Sequence, residues 1–353
     1  MKRRSFNFIV FSIKKNVLSI IFILFTISLV IFSTSNLVAT KNGLLLWANS
    51  VVPSLFPFFI ATELLSYTNV ISLLGSYLNF LMRPLFNVPG EGSFPFIMGI
   101  ISGYPTGAKI VSDFKNKGIC SDIEAERLLA FTNNSGPLFI IGTVGISLFG
   151  NSQIGLLLFI THLLSCITVG FIFRFWKRNK NDKFDSNKYF DLYQKKTADI
   201  SSLGQILGTS IKSATSTIVL IGGFVVLFSV IISIINNSGL LYLLCKFINP
   251  FFKIMHINPE FSSGFICGLI ELTNGVSIIA NLPEKAISVN IVICAFLLGF
   301  GGISVILQVF GIISAANISI KPYIIGKLLQ GIFAAFYTYL LIHNFAIFNL
   351  DLF

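Results

Sequence analysis

The sequence predicts an all-α polytopic membrane protein with inverted repeats, each containing a re-entrant helical hairpin and a broken transmembrane helix. Three observations lead to this fold class. Hydrophobic residues make up 54% of the 353 residues and charged residues only 11%, whereas soluble domains average about 25% charged residues. Helix-breaking residues interrupt two apolar regions. The motifs around these breaks also recur in the same order in both halves of the chain.

The charge and the metal-binding residue types exclude several function classes. The net charge is +11, but the cations lie between apolar segments, as the positive-inside rule requires. We therefore expect a lipid bilayer, not a nucleic acid, as the partner. The five Cys and three His are scattered without the spacing of a metal site. No nucleophile–base pair or phosphate loop is present, so we expect no metal, no cofactor and no enzymatic activity.

The first interrupted region spans 91–117. Gly103, Pro105 and Gly107 fall within five residues in the middle of apolar sequence, which predicts two half-helices that meet at a tip. A second hairpin is predicted at 261–282, with its tip in 268–275.

The rest of the chain is predicted to consist of further helices and one long polar segment. Ser121 and Glu124 form a capping-box pattern that opens a helix reaching 145, with a break at 132–137. The long polar segment at 177–202 separates two halves. The remaining predicted elements are spans at 17–37, 44–67 (kinked by Pro53 and Pro57), 154–176, 205–235, 286–311 (weakened at Gly299, Gly301 and Gly302) and 323–348, and interfacial helices at 71–86 and 240–256.

The two halves align through three pairs of segments. This alignment divides the chain into four predicted parts: an N-terminal transmembrane helix (1–41), a first repeat (42–176), a basic cytoplasmic linker (177–203) and a second repeat (204–353). The matched pairs are RPLF at 83–86 with NPFF at 249–252, GII at 99–101 with GLI at 268–270, and 136–145 with 302–311.

The distribution of cations predicts the topology. With the N-terminus in the cytoplasm and the hairpins counted as non-crossing, most cations fall on the cytoplasmic side. An odd number of crossings separates the repeats, so they are inverted, as in secondary transporters with a midplane site. The cytoplasmic cations are Arg83, Lys109, Lys115, Lys117, Arg127, Arg174, Lys177, Arg178, Lys180, Lys183, Lys188, Lys195, Lys196, Lys321 and Lys327; those outside are Lys41, Lys246, Lys253 and Lys285.

Three motifs resemble the YlbJ (SpoVV) family of sporulation integral membrane proteins: GYPTGAK at 103–109, FTNNSGPLF at 131–139 and GLIELTNG at 268–275. The family belongs to the nucleoside-recognition Gate group, which is similar to concentrative nucleoside transporters. The resemblance implies transport of dipicolinic acid from the mother cell across the outer forespore membrane, and hence a multi-pass protein of that membrane or the cell membrane.

A small planar dianion needs positive potential without a large exposed charge. Half-helix N-termini supply it through unpaired N–H groups and a partial positive charge, and glycines allow close approach to the backbone. Neutral side chains beside them would add hydrogen bonds to the substrate, or serve contacts between helices. The glycines are Gly107, Gly136 and Gly275, and the neutral residues are Thr106, Asn133, Asn134, Ser135, Thr273 and Asn274.

Three further residues have open roles. Tyr104 either stacks on an aromatic substrate or anchors the first tip. Lys109 is either a counter-ion or snorkels to the interface, to which Glu63 also extends. Glu271 is an acid deep in an apolar hairpin, where acids are costly and usually functional. It is protonated during binding, coordinates a coupling cation, bonds to the backbone of the first tip, or forms a structural hydrogen bond within its own hairpin.

Two classes of function fit these features. The first is a carrier for dipicolinate, with a nucleoside or nucleobase as the alternative substrate. The second is a non-transport assembly factor of the forespore envelope that depends on the linker. The sequence leaves open whether an ion is coupled to transport and whether the chain forms a homo-oligomer.

Overall fold

The computed structural model describes residues 2–177, 203–282 and 287–344, without the side chains of residues 2–15 and a few single positions. Within these ranges the chain is helical and contains no strand, which confirms the all-α class. The first half contains α1 (Lys2–Ile31), α2 (Ser33–Leu46), α3 (Val52–Ser66), α4 (Val70–Phe86), α5 (Ser93–Ser102), α6 (Thr106–Asn116), α7 (Asp122–Thr132), α8 (Leu138–Leu148, wound as a π-helix) and α9 (Ser152–Phe173).

The described part of the second half contains seven α-helices. Four helices of the described ranges are long and apolar enough to cross a membrane, or up to six if each of two bent helix pairs is one span. The protein is therefore an integral multi-pass membrane protein. The helices of the second half are α10 (Leu203–Asn237), α11 (Leu240–Ile254), α12 (Phe261–Ile270), α13 (Leu272–Ala280), α14 (Ile287–Phe300), α15 (Gly302–Ile313) and α16 (Lys321–Asn344).

The first predicted span, 17–37, contains a break that the sequence pattern did not reveal. The chain bends by 99° between α1 and α2, at Phe32. The Asn36 amide donates to the carbonyl oxygens of Ser28 at 3.2 Å and Leu29 at 3.5 Å. The Ser28 oxygen also accepts the backbone N–H of Phe32 at 3.0 Å, so the Asn36 side chain ties the start of α2 to the last turn of α1.

Each helix of the first half from α2 onward has a counterpart in the second. The continuous segment from α2 to α3, joined by a π-helical turn at Trp47–Val51, corresponds to α10. The pairs α4/α11, α5/α12, α6/α13, α7/α14, α8/α15 and α9/α16 follow in the same order. Contacts between halves are reciprocal: α7 contacts α16 and α14 contacts α9, while α6 contacts α15 and α13 contacts α8. Reciprocity of this kind is what a two-fold relationship between repeats produces; their inversion across the bilayer stays a prediction.

The helices pack around separate hydrophobic clusters. One small cluster holds α3 against α10 through Phe59, Ala214, Ile218 and Ile221. Two larger clusters hold the hairpins, the broken helices, α9 and α16. The α2–α3 segment and α10 therefore form one wall, and the hairpins face it.

The sequence located both hairpins and both broken helices. The capping box at Ser121 is present with both of its hydrogen bonds, and the breaks after Thr132 and Phe300 fall where the glycines predict them. The predicted linker at 177–203 lies outside the described residues except for its two ends, as does Lys285.

Candidate functional site

The tip of the first hairpin is shaped by Gly103. Its backbone has φ +83° and ψ −173°, a conformation that glycine adopts and other residues avoid. A cis peptide bond joins Tyr104 to Pro105, and α6 starts at the next residue. A Cβ on Gly103 would lie 2.9 Å from the backbone nitrogen of Gly136, so the tip packs directly on the break between α7 and α8.

Two glycines bring the arms of this hairpin against the end of α7. A Cβ on Gly99 would lie 1.8 Å from the Thr132 carbonyl oxygen, and one on Gly107 would lie 2.2 Å from the same atom. Asn133 strengthens the contact, because its Oδ1 accepts from the backbone N–H of Ala108 at 3.4 Å. The hairpin and the broken helix thus form one tightly packed unit.

The second hairpin turns at Glu271, which caps α13. Its carboxylate oxygens accept hydrogen bonds from the backbone N–H groups of Thr273 at 3.0 Å and Asn274 at 2.8 Å. A Cβ on Gly275 would lie 2.0 Å from the Cα of Gly268, so the two arms touch. The partial positive charge at the start of α13 is therefore already balanced by the carboxylate of its own chain.

The break between α14 and α15 lies between the two tips. Gly301 and Gly302 have φ of +83° and +82°. A Cβ on Gly301 would lie 3.0 Å from the Tyr104 hydroxyl of the first tip, and one on Gly302 would lie 3.2 Å from the Gly268 carbonyl oxygen of the second. Both hairpins consequently meet at this one pair of glycines.

A buried polar network lies beside the first tip. Lys327 of α16 is fully buried, and its Nζ donates to the Tyr104 hydroxyl at 2.8 Å, to Gln330 Oε1 at 2.7 Å and to the Asn133 carbonyl oxygen at 3.2 Å. Gln330 Nε2 in turn donates to Asn134 Oδ1 at 2.8 Å. The network ties α16 to the first hairpin and to the break after α7.

A cavity of about 390 Å³ separates the hairpin tips from the wall formed by α2, α3 and α10. This volume is typical of small-molecule sites, which measure about 300–1,000 Å³. Polar groups lie on the hairpin side and apolar side chains on the wall side. The lining residues on the hairpin side include Ser102, Gly103, Tyr104, Ser135, Gly136, Glu271, Thr273, Ser304 and Gln308, and the wall contributes Leu46, Val51, Leu55, Phe58, Ile221 and Val225.

A second polar group connects the wall to the first hairpin. Lys109 of α6 forms an ion pair with Glu63 of α3 and donates to Ser213 Oγ of α10 at 3.0 Å. The Ser213 hydroxyl also donates to Glu63 Oε1 at 2.8 Å. Lys109 therefore does not line the large cavity, and its charge is paired with Glu63. Whether either side chain reaches the membrane interface stays a prediction.

Comparison with known proteins gives the family. A family model described as nucleoside recognition, named Gate, matches residues 48–175 and 218–316. This chain belongs to the Gate family. It is also 36% identical over 334 residues to the sporulation integral membrane protein YlbJ of Bacillus subtilis (strain 168), covering 91% of this chain and 81% of that protein. No solved structure matches the chain.

The Gate match covers both hairpins and both helix breaks but ends before α16. Of the eleven residues predicted to bind substrate, those on the cavity are Tyr104, Ser135, Gly136, Glu271 and Thr273. The other six lie beside it: Gly107, Asn133, Asn134 and Gly275 in the contacts described above, Asn274 at the capped start of α13, and Thr106 on a smaller cavity next to Lys109. Direct contact with a substrate stays a prediction for all eleven.

The geometry reduces the alternatives for the roles of Tyr104 and Glu271. Tyr104 anchors the first tip, since its hydroxyl donates to the Leu298 carbonyl oxygen at 3.2 Å, and its side chain also lines the cavity. Glu271 bonds to the backbone of its own hairpin and not to that of the first tip.

Lys327 and Arg127, which the cation count assigns to the cytoplasmic side, are buried in the protein, and the side on which they lie stays a prediction. Lys327 has no exposed surface and Arg127 is 2% exposed. Arg127 donates to the carbonyl oxygens of Trp176 and Asn87, so it links the C-terminal ends of α9 and α4. The sequence does carry a signal for Lys327: it and Gln330 are three residues apart in an apolar stretch and so share one helix face.

Proposed function

We propose that this Gate-family protein carries a small organic anion, dipicolinate, through the cavity between the hairpin tips, from the mother cell across the outer forespore membrane during sporulation. The cavity supports the proposal most directly, because it lies where two helix breaks and two hairpins meet. Breaks of this kind are tolerated at membrane depth where they line a polar cavity. Similarity to a sporulation integral membrane protein supports the cellular setting.

The two sides of the cavity suit the two parts of this substrate. The apolar wall of Leu46, Val51 and Phe58 fits the faces of a flat aromatic ring. On the opposite side, the Ser102 hydroxyl is buried without a hydrogen-bond partner in the described structure and is available to a carboxylate. Buried polar groups normally have a partner, so an unpartnered hydroxyl at a cavity favours a ligand there.

Uptake into proteoliposomes tests the proposal. Purified protein should take up labelled dipicolinate, and comparison of sodium, proton and no gradients identifies any coupling ion. Ser102→Ala should reduce uptake several-fold. Ser93→Ala is the matched control, because Ser93 is also a buried serine of α5 with an unpartnered hydroxyl but does not line the cavity. Absence of dipicolinate uptake under every gradient by well-folded protein would refute the proposal.

A nucleoside is the second candidate substrate, and the description of the family favours it. The same proteoliposomes decide between them. Excess unlabelled nucleoside should leave dipicolinate uptake unchanged if the anion is the substrate, whereas uptake of labelled nucleoside without dipicolinate uptake would establish the second candidate.

A further inference from the structure

Lys327 is a buried cation without a buried anion. Its side chain has no exposed surface, and in the ranges that the structure describes no carboxylate forms an ion pair with it. A charge removed from water in this way is costly unless it is compensated. Neutral oxygens provide only part of that compensation. We therefore expect the lysine at this position to have a role beyond packing.

The hydrogen bonds of Nζ are those that an ammonium group would make. Its partners are the hydroxyl of Tyr104, the carbonyl oxygen of Asn133 and the amide oxygen of Gln330. The Tyr104 proton is directed to the Leu298 carbonyl oxygen, so the hydroxyl can only accept from Lys327. Three acceptors match the three donors of an ammonium group, whereas a neutral amine has only two N–H bonds.

One side chain separates this ammonium from the cavity. Tyr104 lines the cavity on one side, and its ring centroid lies 4.9 Å from Lys327 Nζ on the other. Ser135 also lines the cavity. It is two residues from Asn133, whose carbonyl oxygen accepts from Lys327. Through so short a path of low dielectric, the field of one charge is weakly screened.

The cavity lining also includes a group of opposite sign. Glu271 is a carboxylate that lines the cavity, and the N-terminus of α13 offsets part of its charge. The cavity therefore has a buried cation behind Tyr104 and an acid at Glu271. An anion is attracted to the first group and repelled by the second.

We propose that Lys327 is the residue that makes the site select an anion, and that a substrate carboxylate binds beside Tyr104 and Ser135 in the cavity. This inference rests on the proposed function and adds to it the residue that reads the charge of the substrate. Lys327 acts through Tyr104 and the cavity's field rather than by direct contact in the structure described here.

Two ligands of similar shape but different charge distinguish a role of Lys327 in anion selection from a purely structural role. Dipicolinate and its uncharged diamide, pyridine-2,6-dicarboxamide, have the same ring and similar outlines but differ in charge. Their affinities for detergent-purified full-length protein are measured by calorimetry for wild type, Lys327→Met, Lys327→Arg and Lys212→Met. Lys212 is an exposed lysine of α10 and serves as the control for loss of one positive charge.

We expect Lys327→Met to weaken dipicolinate binding by about tenfold or more while the diamide changes less than about twofold. Lys327→Arg should keep most of the preference for the dianion, and Lys212→Met should match wild type. If Lys327→Met is not monodisperse, Lys327→Gln keeps a polar neutral group at that position and carries the same test.

If Lys327→Met lost affinity equally for both ligands, or kept the wild-type preference for the dianion, the proposed role of Lys327 would be overturned. In either case wild type still binds dipicolinate and the proposed function stands. If wild type binds neither ligand, the proposed function itself fails and the inference fails with it.

Discussion

The Glu271 carboxylate accepts a hydrogen bond from the backbone N–H of Asn274 at 2.8 Å. A second bond, from the N–H of Thr273, completes the cap of α13. The acid that lines the cavity is therefore held in place by its own helix, with its charge partly offset before any ligand enters. The capping of α13 and the negative charge are two distinct properties of Glu271, and different substitutions can remove one without the other.

We expect Glu271→Gln to abolish dipicolinate uptake while protein level and localisation stay normal. Glutamine keeps a side-chain acceptor of equal length, but it cannot take up the proton or coupling cation that would remove the repulsion between Glu271 and the dianion. Glu271→Ala should lose uptake and also about 1 kcal/mol of stability, the usual cost of removing a helix cap. Uptake is measured in proteoliposomes, and stability by thermal unfolding in detergent. Normal dipicolinate content in spores that carry Glu271→Gln would show that the residue is a cap alone.

The ion pair of Glu63 with Lys109 gives a second prediction. It joins the wall helix α3 to the hairpin helix α6, and both side chains are mostly buried, at 16% and 17% exposure. Removing one partner leaves the other charge unpaired in the protein interior. We therefore expect Glu63→Gln and Lys109→Gln each to reduce both thermal stability and uptake.

The double variant should be less impaired than the sum of the single variants, with a coupling energy within about 0.5–3 kcal/mol. A double-mutant cycle on unfolding measures it. Lys115 and Asp122 supply the control, because they form an ion pair in which Asp122 is largely exposed, and such pairs contribute about 0–1 kcal/mol. Additive effects at Glu63 and Lys109 would contradict a direct interaction.

The glycines of the two hairpins give a third prediction. Gly107→Ala would place a methyl group 2.2 Å from the Thr132 oxygen, and Gly275→Ala would place one 2.0 Å from the Gly268 Cα. Backbone atoms cannot yield as a flexible side chain does, so overpacking should cost about 1–3 kcal/mol or more. Thermal unfolding of purified protein measures the loss.

Gly223→Ala is the matched control, since no atom lies within 4 Å of its Cβ position in α10. There, alanine should be neutral or slightly stabilising, as it is a better helix former than glycine. Wild-type stability for Gly107→Ala and Gly275→Ala would mean that the hairpin arms are farther apart than described, and that these glycines are free to admit a carboxylate.

The sequence predicts local breaks well because single residues cause them. Gly103 needs a positive φ, and the Ser121–Glu124 pair is a local cap, so both can be located from the sequence alone. The partners of Lys109 and Lys327 cannot. Glu63 is 46 residues from Lys109 and Tyr104 is 223 from Lys327, and which helix faces meet is decided by tertiary packing. The cation count therefore treats Lys327 only as one more cytoplasmic cation near the start of the last span.

Opposite entry of the two hairpins is the fourth prediction. The cation distribution places the loop after α6 in the cytoplasm and the loop before α12 outside, and the reciprocal contacts between repeats agree with a two-fold relationship without giving its direction. The bend at Phe32 makes this test necessary, because the count of crossings depends on whether α1 spans the bilayer.

Single cysteines introduced into a variant without the five native cysteines report the side directly. In intact cells that carry the protein in the plasma membrane, an impermeant thiol reagent should label Ser152→Cys and Glu260→Cys at once, but Lys117→Cys and Lys321→Cys only after permeabilisation; all four positions are exposed in the structure. Labelling of all four with the sides exchanged would keep the inversion and move the N-terminus outside. Labelling of Lys117→Cys and Glu260→Cys from one side would mean that both hairpins enter from the same leaflet, and a carrier with alternating access through paired inverted hairpins would be ruled out.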